Sequence, residues 1–453
     1  MSAESAAAAD AVHQAVIFGF DPLWLSTGIL ILTYAILLTE RVHRTVIALT
    51  GAGVVIVSGV LTQNQAFAGI DFNTIALLTG MMIIVSITRT TGVFEYVAIW
   101  AAKKVKADPK GILIVLSIVT AVFSAFLDNL TTVLLVVPIA LLIVDKLKVS
   151  PYPFLYAQIL ASNIGGTATL IGDPPNILIG SATDLSFMAF LTNMGPVALI
   201  ILVVAVLIFH LVWGKSLVAP QALRDRVMNF READSITDKP QMIRCLIVLG
   251  MVIAGFIIGE HYHIRPGTIA MLGGSLLMLI TILGKAHEIQ AKTVHKTFAD
   301  VEWDALFFFM GLFVIVGGVE HAGLLNMLGE KLMAATGGDP QATTFTTLWI
   351  SALVSAAVDN IPFVATMIPL VESMEATIGG PEALETVWWA LALGACLGGN
   401  GSLIGAAANV MVAGMADRAG HPLTFAKFAL IGVPITVLSV AIAHGYLLLR
   451  FFM

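Results

Sequence analysis

The sequence predicts an all-α polytopic membrane protein made of two inverted-topology repeats, each with five spans, one of them broken, and one re-entrant hairpin. Three observations lead to this fold class. The 453 residues are 58% hydrophobic and only 11% charged, whereas soluble domains average about 25% charged residues. Ten apolar segments approach the roughly 20 residues that a membrane span needs. Related motifs also recur in the two halves of the chain at a nearly constant spacing.

The predicted spans are 23–39, 45–62, 73–100, 154–181, 187–213, 243–260, 266–283, 303–322, 387–413 and 424–449. Two of them, 154–181 and 387–413, are interrupted by Gly, Asn or Pro and are predicted to be broken helices. Two further apolar pairs, 111–145 and 343–377, have arms joined only by an Asp-Asn dipeptide. A joint of two residues favours a hairpin, although two full spans stay open as the alternative.

The placement of basic residues predicts the orientation in the membrane. With the amino terminus outside, the inside loops hold 19 of the 23 Lys and Arg residues, as the positive-inside rule requires. The predicted divisions are an N-terminal tail (1–22), repeat 1 (23–213), a basic cytoplasmic linker (214–242) and repeat 2 (243–453). No cleaved signal peptide is expected. The predicted location is the cell (inner) membrane, with multiple passes.

The two halves match at an offset of 231 residues. Gly80 aligns with Gly311, Asp128 with Asp359, and Pro138 with Pro369. At an offset of 233, GGTATLIGDPPN (165–176) aligns with GGNGSLIGAAAN (398–409). Because each half has five full spans, the second copy must be inverted. Inverted repeats are typical of secondary transporters, which bind solute near the membrane midplane between broken helices.

Asp128 and Asp359 are the predicted coupling residues. Each lies inside an apolar run, where an ionisable group suggests a functional site. A buried carboxylate can bind and release a proton, or it can donate oxygen ligands to sodium. The alternative is that each Asp only caps the second arm of its hairpin. Capping and coupling are compatible.

The broken helices supply the other predicted binding groups. Glycine lets the backbone leave helical geometry, and the freed carbonyls and amides can then hold an ion or a solute. Asp173 is expected to cap the half-helix that begins at Pro174. The full predicted site for substrate or ion comprises Asp128, Asn129, Thr131, Thr132, Asn163, Gly165, Gly166, Thr167, Thr169, Asn176, Asp359, Asn360, Gly398, Gly399, Asn400, Ser402 and Asn409. No enzymatic motif, cofactor motif, metal cluster or nucleic-acid surface is evident.

Four stretches resemble the ion transporter superfamily, and specifically its ArsB/NhaD-like branch. They are TGMMIIVSITRTTGVFEY (79–96), FLDNLTTVLLVVP (126–138), SNIGGTATLIGDPPN (162–176) and GGNGSLIGAAANV (398–410). That branch groups arsenite/antimonite efflux permeases, sodium/proton antiporters and the melanosomal P protein. The resemblance implies a secondary transporter, with a proton or sodium as the coupling ion. It is also compatible with a soluble ATPase partner and with a homodimer in the lipid bilayer.

The acidic hairpin tips guide the choice of substrate. Related sodium-coupled dicarboxylate carriers have Ser-Asn-Thr motifs at these tips, whereas this chain has Asp128-Asn129 and Asp359-Asn360. Two carboxylates in a medium of low dielectric would repel a dianion. The sequence interpretation is therefore arsenite or antimonite efflux coupled to proton antiport. A sodium/proton antiporter and an anion or dicarboxylate carrier are the alternatives.

Overall fold

The computed structural model describes residues 16–39 and 41–453, so residues 1–15 of the predicted N-terminal tail lie outside the described residues. The described residues form 23 α-helices and contain no strand. Seven of these helices have at least 18 residues and are apolar enough to cross a membrane, by length and composition. The predicted all-α membrane class is confirmed.

The first half of the chain contains eleven helices. They are α1 (Pro22–Leu37), α2 (Arg44–Val57), α3 (Gln63–Ala68), α4 (Phe72–Arg89), α5 (Val93–Lys104), α6 (Pro109–Phe126), α7 (Asn129–Leu147), α8 (Tyr152–Gly166), α9 (Pro174–Thr183), α10 (Phe187–Asn193) and α11 (Gly195–Trp213). The linker contributes α12 (Gln221–Met228).

The second half follows a similar order. Its helices are α13 (Lys239–Gly259), α14 (Pro266–Ile282), α15 (His287–Ala299), α16 (Trp303–His321), α17 (Leu324–Thr336), α18 (Pro340–Ala357), α19 (Asn360–Glu372), α20 (Glu375–Ile378), α21 (Pro381–Gly398), α22 (Ala407–Arg418) and α23 (Phe425–Leu447). The helices α4 and α16 correspond, as do α6 and α18, and both pairs begin at the 231-residue offset of the sequence repeat.

The predicted single span 73–100 is wrong, because the structure divides it into α4 and α5. The break falls at Gly92, which precedes α5 in a left-handed conformation with φ 77°. The linker packs on this break: the backbone amide of Thr237 donates to the carbonyl of Thr91 at 3.1 Å. The predicted span 187–213 is likewise divided, into α10 and α11, at Met194. Polar residues precede both breaks, Arg89-Thr90-Thr91 at the first and Thr192-Asn193 at the second, but they are too few to end a predicted span by composition alone.

The Gly92 break provides a stability prediction. A Cβ at Gly92 would lie 1.7 Å from the carbonyl oxygen of Ser235. Gly323 is the matched control, because it precedes α17 with φ 87° and has no described atom within 4 Å of an added Cβ. Both alanine variants bear the left-handed cost of about 1–2 kcal/mol, but only Gly92→Ala must also displace the linker. We expect Gly92→Ala to lower the melting temperature in detergent clearly more than Gly323→Ala. Equal shifts would contradict this packing.

The two repeats pack against each other through glycines in α4 and α16. A Cβ on Gly80 would lie 2.3 Å from the backbone carbon of Ala270 in α14. A Cβ on Gly311 would lie 2.7 Å from the backbone carbon of Ala48 in α2. Small residues let membrane helices approach closely in this way. There are therefore two such close contacts, α4 with α14 and α16 with α2, and each one joins a helix of repeat 1 to a helix of repeat 2.

The predicted hairpins are the pairs α6–α7 and α18–α19. Their first arms begin in the same way, with Asp108 accepting from the Gly111 amide and Asp339 from the Ala342 amide. The arms α6 and α7 have 18 and 19 residues, slightly more than predicted, and α6 begins directly after its Asp108 cap. The two hairpin tips line one shared cavity. Tips of full spans that enter from opposite faces would instead lie about 30 Å apart.

Candidate functional site

Both tip carboxylates cap the helix that follows them. Asp128 accepts a hydrogen bond from the amide of Thr131 at 2.7 Å and another from the Thr131 hydroxyl. Asp359 accepts one from the amide of Ile361 at 3.1 Å. Both carboxylates therefore act as N-caps, as the capping alternative predicted. Capping leaves the charge of both groups available for coupling, because an ionised carboxylate has lone pairs beyond those that a cap uses.

Asp173, in the break between α8 and α9, is a third carboxylate beside the hairpin tips. The prediction that its side chain caps α9 is wrong. An N-cap side chain accepts from the amide of the second or third helical residue. Here the first two positions are Pro174 and Pro175, which have no amide proton, and the amide of Asn176 donates to the backbone carbonyl of Asp173 instead. The carboxylate of Asp173 therefore makes no capping hydrogen bond to α9.

The freed Asp173 carboxylate is fully buried and only partly paired. Its Oδ1 accepts from the side-chain amide of Asn360 at 3.2 Å. Its Oδ2 has no hydrogen-bond partner among the described residues. A buried polar atom without a partner is costly, so this oxygen is a candidate position for a proton or a solute; the thiol of Cys396 also interacts with the carboxylate. The contact with Asn360 also joins the broken helix of repeat 1 to the hairpin tip of repeat 2.

Four buried asparagines connect hairpin 1 to both broken helices. The side chain of Asn129 donates to that of Asn163 at 3.1 Å. Asn163 in turn donates to Asn400 and to Asn409, each at 2.9 Å. The structure therefore brings these four predicted residues together. Asn400 retains an unpartnered Nδ2 within the part of the chain that the structure describes.

Two asparagines close the helix breaks. The Nδ2 of Asn176 lies 2.8 Å from the carbonyl oxygen of Thr169, with the carbonyls of Gly166 and Thr167 farther away. The Nδ2 of Asn409 donates to the carbonyls of Gly399 at 2.7 Å and Ser402 at 2.8 Å. The freed carbonyls at both breaks are thus satisfied within their own repeat, which supports the breaks as rigid features.

Other predicted residues hold the hairpins against the breaks. A Cβ on Gly165 would lie 2.2 Å from the carbonyl oxygen of Ala121, and one on Gly398 would lie 2.6 Å from that of Ala352. The hydroxyl of Thr169 donates to the carbonyl of Ala125 in hairpin 1. These contacts give the residues a positioning role. They do not line the cavity between the tips, and neither do Thr131 and Thr132.

The central cavity lies between the hairpin tips. Its volume is about 30 Å³, and its polar wall consists of Arg44, Asp128, Asn129, Asp173, Glu302 and Asn360. A site needs about 10–15 Å³ of such volume to hold one water, so this cavity suits an ion or a very small solute. Beside it is a vestibule of about 480 Å³, whose walls include His43, Arg44, Asp304 and Asp359.

Arg44 and Glu302 are site residues that the sequence interpretation missed. Arg44 is the first residue of α2, and its Nη1 lies 3.6 Å from Oδ2 of Asp359. Glu302 precedes α16 and interacts electrostatically with both Asp128 and Arg44. Both residues lie at the ends of predicted spans, where charged residues are common and do not by themselves indicate a site. The one available signal was that Glu302 aligns with Asp71 at the repeat offset, and each precedes its helix.

Comparisons with known proteins agree with this architecture. The family model described as citrate transporter (CitMHS) matches residues 34–394. An uncharacterized transporter of Mycobacterium tuberculosis strain H37Rv is 43% identical over 432 residues, covering 94% of this chain and 98% of the relative. The human P protein is 33% identical and covers 94% of this chain, which spans 59% of the P protein's length.

A solved structure shows the same fold. The YdaH transporter of Alcanivorax borkumensis, described as having an unusual topology, superposes with a TM-score of 0.59 over 94% of this chain and 98% of that one, at 13% identity. The resemblance to the ion transporter superfamily is confirmed. The chain belongs to the citrate transporter (CitMHS) family of that superfamily and is a membrane transporter.

Proposed function

We propose that the protein is a secondary antiporter of the cell (inner) membrane, which exchanges protons for a small solute that carries no negative charge. Arsenite or antimonite is the leading solute, moving outward. Asp128, Asp173 and Asp359 are the proton-coupling carboxylates. The remaining predicted residues hold the tips and breaks around them.

The observation that carries this proposal is the charge balance of the two cavities. Five carboxylates, from Asp128, Asp173, Glu302, Asp304 and Asp359, lie at the walls of the two cavities, whereas Arg44 is the one Lys or Arg among the described lining residues. Like charges interact strongly where the dielectric is low. Such a site binds protons and cations readily, accepts a neutral hydrogen-bond donor and opposes an anion.

Neutral arsenite suits an acidic site. Arsenite at neutral pH is mostly a trihydroxide, whose three O–H groups can donate to ionised carboxylates and to amide oxygens. A carboxyl group that has taken up a proton loses acceptor capacity and charge. Protons and solute therefore compete for the same groups, and this competition produces antiport. Cys396 is a single thiol near Asn176, so binding by several thiolates is not part of the proposal.

Sodium/proton antiport is the second candidate. The central cavity is ion-sized, and carboxylate and amide oxygens of Asp128, Asp173 and Asn129 line it. No three His, Cys, Asp or Glu side chains in the described ranges converge as metal ligands, so a sodium ion here would also need backbone or amide oxygens. The carboxylates surround the cavity without meeting at one point. This arrangement favours protons and a hydrogen-bonded solute over a desolvated metal ion.

Citrate transport is disfavoured by the same charges, although the family description names citrate. A tricarboxylate would have to bind in the 480 Å³ vestibule because the central cavity is only about 30 Å³, and Arg44 alone would face three added negative charges. Such a substrate would need the acidic cluster to be protonated first, which would make the transporter a symporter. The direction of proton movement therefore separates the two substrate classes.

The solute is tested in proteoliposomes that contain the purified protein and a trapped pH-sensitive dye. We expect an inward arsenite gradient to drive protons outward, with no requirement for sodium. Protein-free liposomes are the control for arsenite leakage. Proton movement that depends on sodium alone would establish the second candidate. Citrate uptake accompanied by protons would overturn the antiporter proposal.

A further inference from the structure

Arg44 lies between the vestibule and the central cavity and forms part of both walls. Its guanidinium is always charged at physiological pH. It lies 3.6 Å from the carboxylate of Asp359 and 5.3 Å from the ring centroid of Phe308. The side chain is 27% exposed, so it contacts the acidic cluster and also remains accessible from the vestibule.

Asp359 and Glu302 interact directly with Arg44, and Asp128 and Asp173 line the central cavity together with it. Asp359 precedes α19, Glu302 precedes α16, and Asp128 precedes α7. Asp173 interacts electrostatically with Asp128 and Asp359. On the vestibule side, the neighbouring His43 lies 3.7 Å from the carboxylate of Asp304. The acidic cluster of Asp128, Asp173, Glu302 and Asp359 therefore has one nearby guanidinium to offset its charge.

We propose that Arg44 is the built-in counter-cation of the acidic cluster, and that it lets protons leave into the vestibule by stabilising the unloaded, ionised state. This inference rests on the proposed function, because it assigns the proton-release step of that antiport to Arg44. Without a positive charge close by, the four carboxylates would retain protons to higher pH. Arg44 is a positioning residue in this account, since it acts through the carboxylates.

The experiment measures protonation of the acidic cluster without any transported solute. Dicyclohexylcarbodiimide reacts with protonated carboxyl groups in apolar surroundings, and peptide mass spectrometry reports which site is modified. The extent of labelling at Asp128, Asp173, Glu302 and Asp359 is measured against pH in the detergent-solubilised protein. An opposite charge within about 4–6 Å typically shifts such a midpoint by about 1–3 pH units. We expect Arg44→Gln to raise the labelling midpoints of Asp359 and Glu302, the two acids that interact with Arg44, by about one unit or more.

Three further variants make the result specific. Arg44→Lys keeps the charge and should stay close to the wild-type midpoint. Arg265→Gln is the matched control, because Arg265 precedes α14 and makes its own 3.8 Å contact with the exposed Asp184; its midpoint should not change. Asp359→Asn removes one negative charge, so labelling of the other three acids should shift to lower pH even without Arg44. If Arg44→Gln alone does not fold, it is combined with Asp359→Asn, which removes one charge of each sign, and its labelling is compared with that of Asp359→Asn.

An unchanged midpoint in Arg44→Gln, or equal midpoints in Asp359→Asn with and without Arg44→Gln, would overturn the counter-cation role. A shift of equal size in Arg44→Lys would also overturn it, because the effect would then follow side-chain shape. Neither result depends on solute transport. The proposed function can fail in the proteoliposomes while the counter-cation role is supported here, and the reverse outcome is equally visible.

Discussion

Replacement of Asp173 by asparagine is expected to reduce solute-driven proton flux by about 100-fold or more, the range typical of a lost proton-transfer group. The carboxylate is fully buried, and Oδ2 has no partner in the described part of the chain. Asparagine has a similar shape but cannot take up a proton at this position. The reason for the loss is chemical, so the fold should be retained.

Thermal stability separates this explanation from a structural one. An unpaired buried carboxylate destabilises a protein, and a neutral replacement of similar volume is often neutral or stabilising. We therefore expect Asp173→Asn to melt at or above the wild-type temperature. Asp184→Asn is the matched control, because Asp184 lies at the other end of α9 and is exposed. Full flux in Asp173→Asn, or an equal loss in Asp184→Asn, would contradict the role of Asp173.

Replacement of Asp128 by asparagine is the second substitution with a large expected effect. Asparagine is as good an N-cap as aspartate, and it can still accept from the amide of Thr131. Asp128→Asn therefore keeps the cap and removes the charge. We expect a loss of coupled flux of about 100-fold, with little change in melting temperature.

The matched control for Asp128→Asn is Asp339→Asn. Asp339 caps the first arm of hairpin 2 through the amide of Ala342 at 2.7 Å and lies at the base of that hairpin. It should keep both transport and stability. Asp128→Ala, which removes the cap as well, should in addition lose about 1 kcal/mol of stability. If Asp128→Asn transports normally and only Asp128→Ala is impaired, Asp128 is a cap and nothing more.

The repeat relation was the most informative part of the sequence. The 231-residue offset predicted equivalent hairpins, and the structure starts α6 and α18 at that offset, behind equivalent aspartate caps. Asn129, Asn163, Asn400 and Asn409 were predicted as site residues and meet in one network. Polar residues inside apolar runs are few, and this scarcity made them recognisable.

The parts that the sequence did not predict depend on distance along the chain or on local geometry. Arg44 is 315 residues before Asp359, and a basic residue at a span end is expected for orientation alone. The role of Asp173 was misjudged because the capping rule was applied without considering that Pro175 has no amide proton and that the amide of Asn176 donates to the backbone carbonyl of Asp173 instead. The break at Gly92 was missed because the polar stretch Arg89-Thr90-Thr91 before it is short and apolar segments lie on both sides of it.

The central claim is that solute and protons compete for the carboxylates of Asp128, Asp173 and Asp359. The most direct test adds arsenite to the purified wild-type protein in weakly buffered detergent solution near pH 7 and follows a pH-indicator dye. Competition predicts that solute binding releases protons and that Asp173→Asn releases fewer. Solute binding with no proton release, or citrate binding accompanied by proton uptake, would contradict the antiport account.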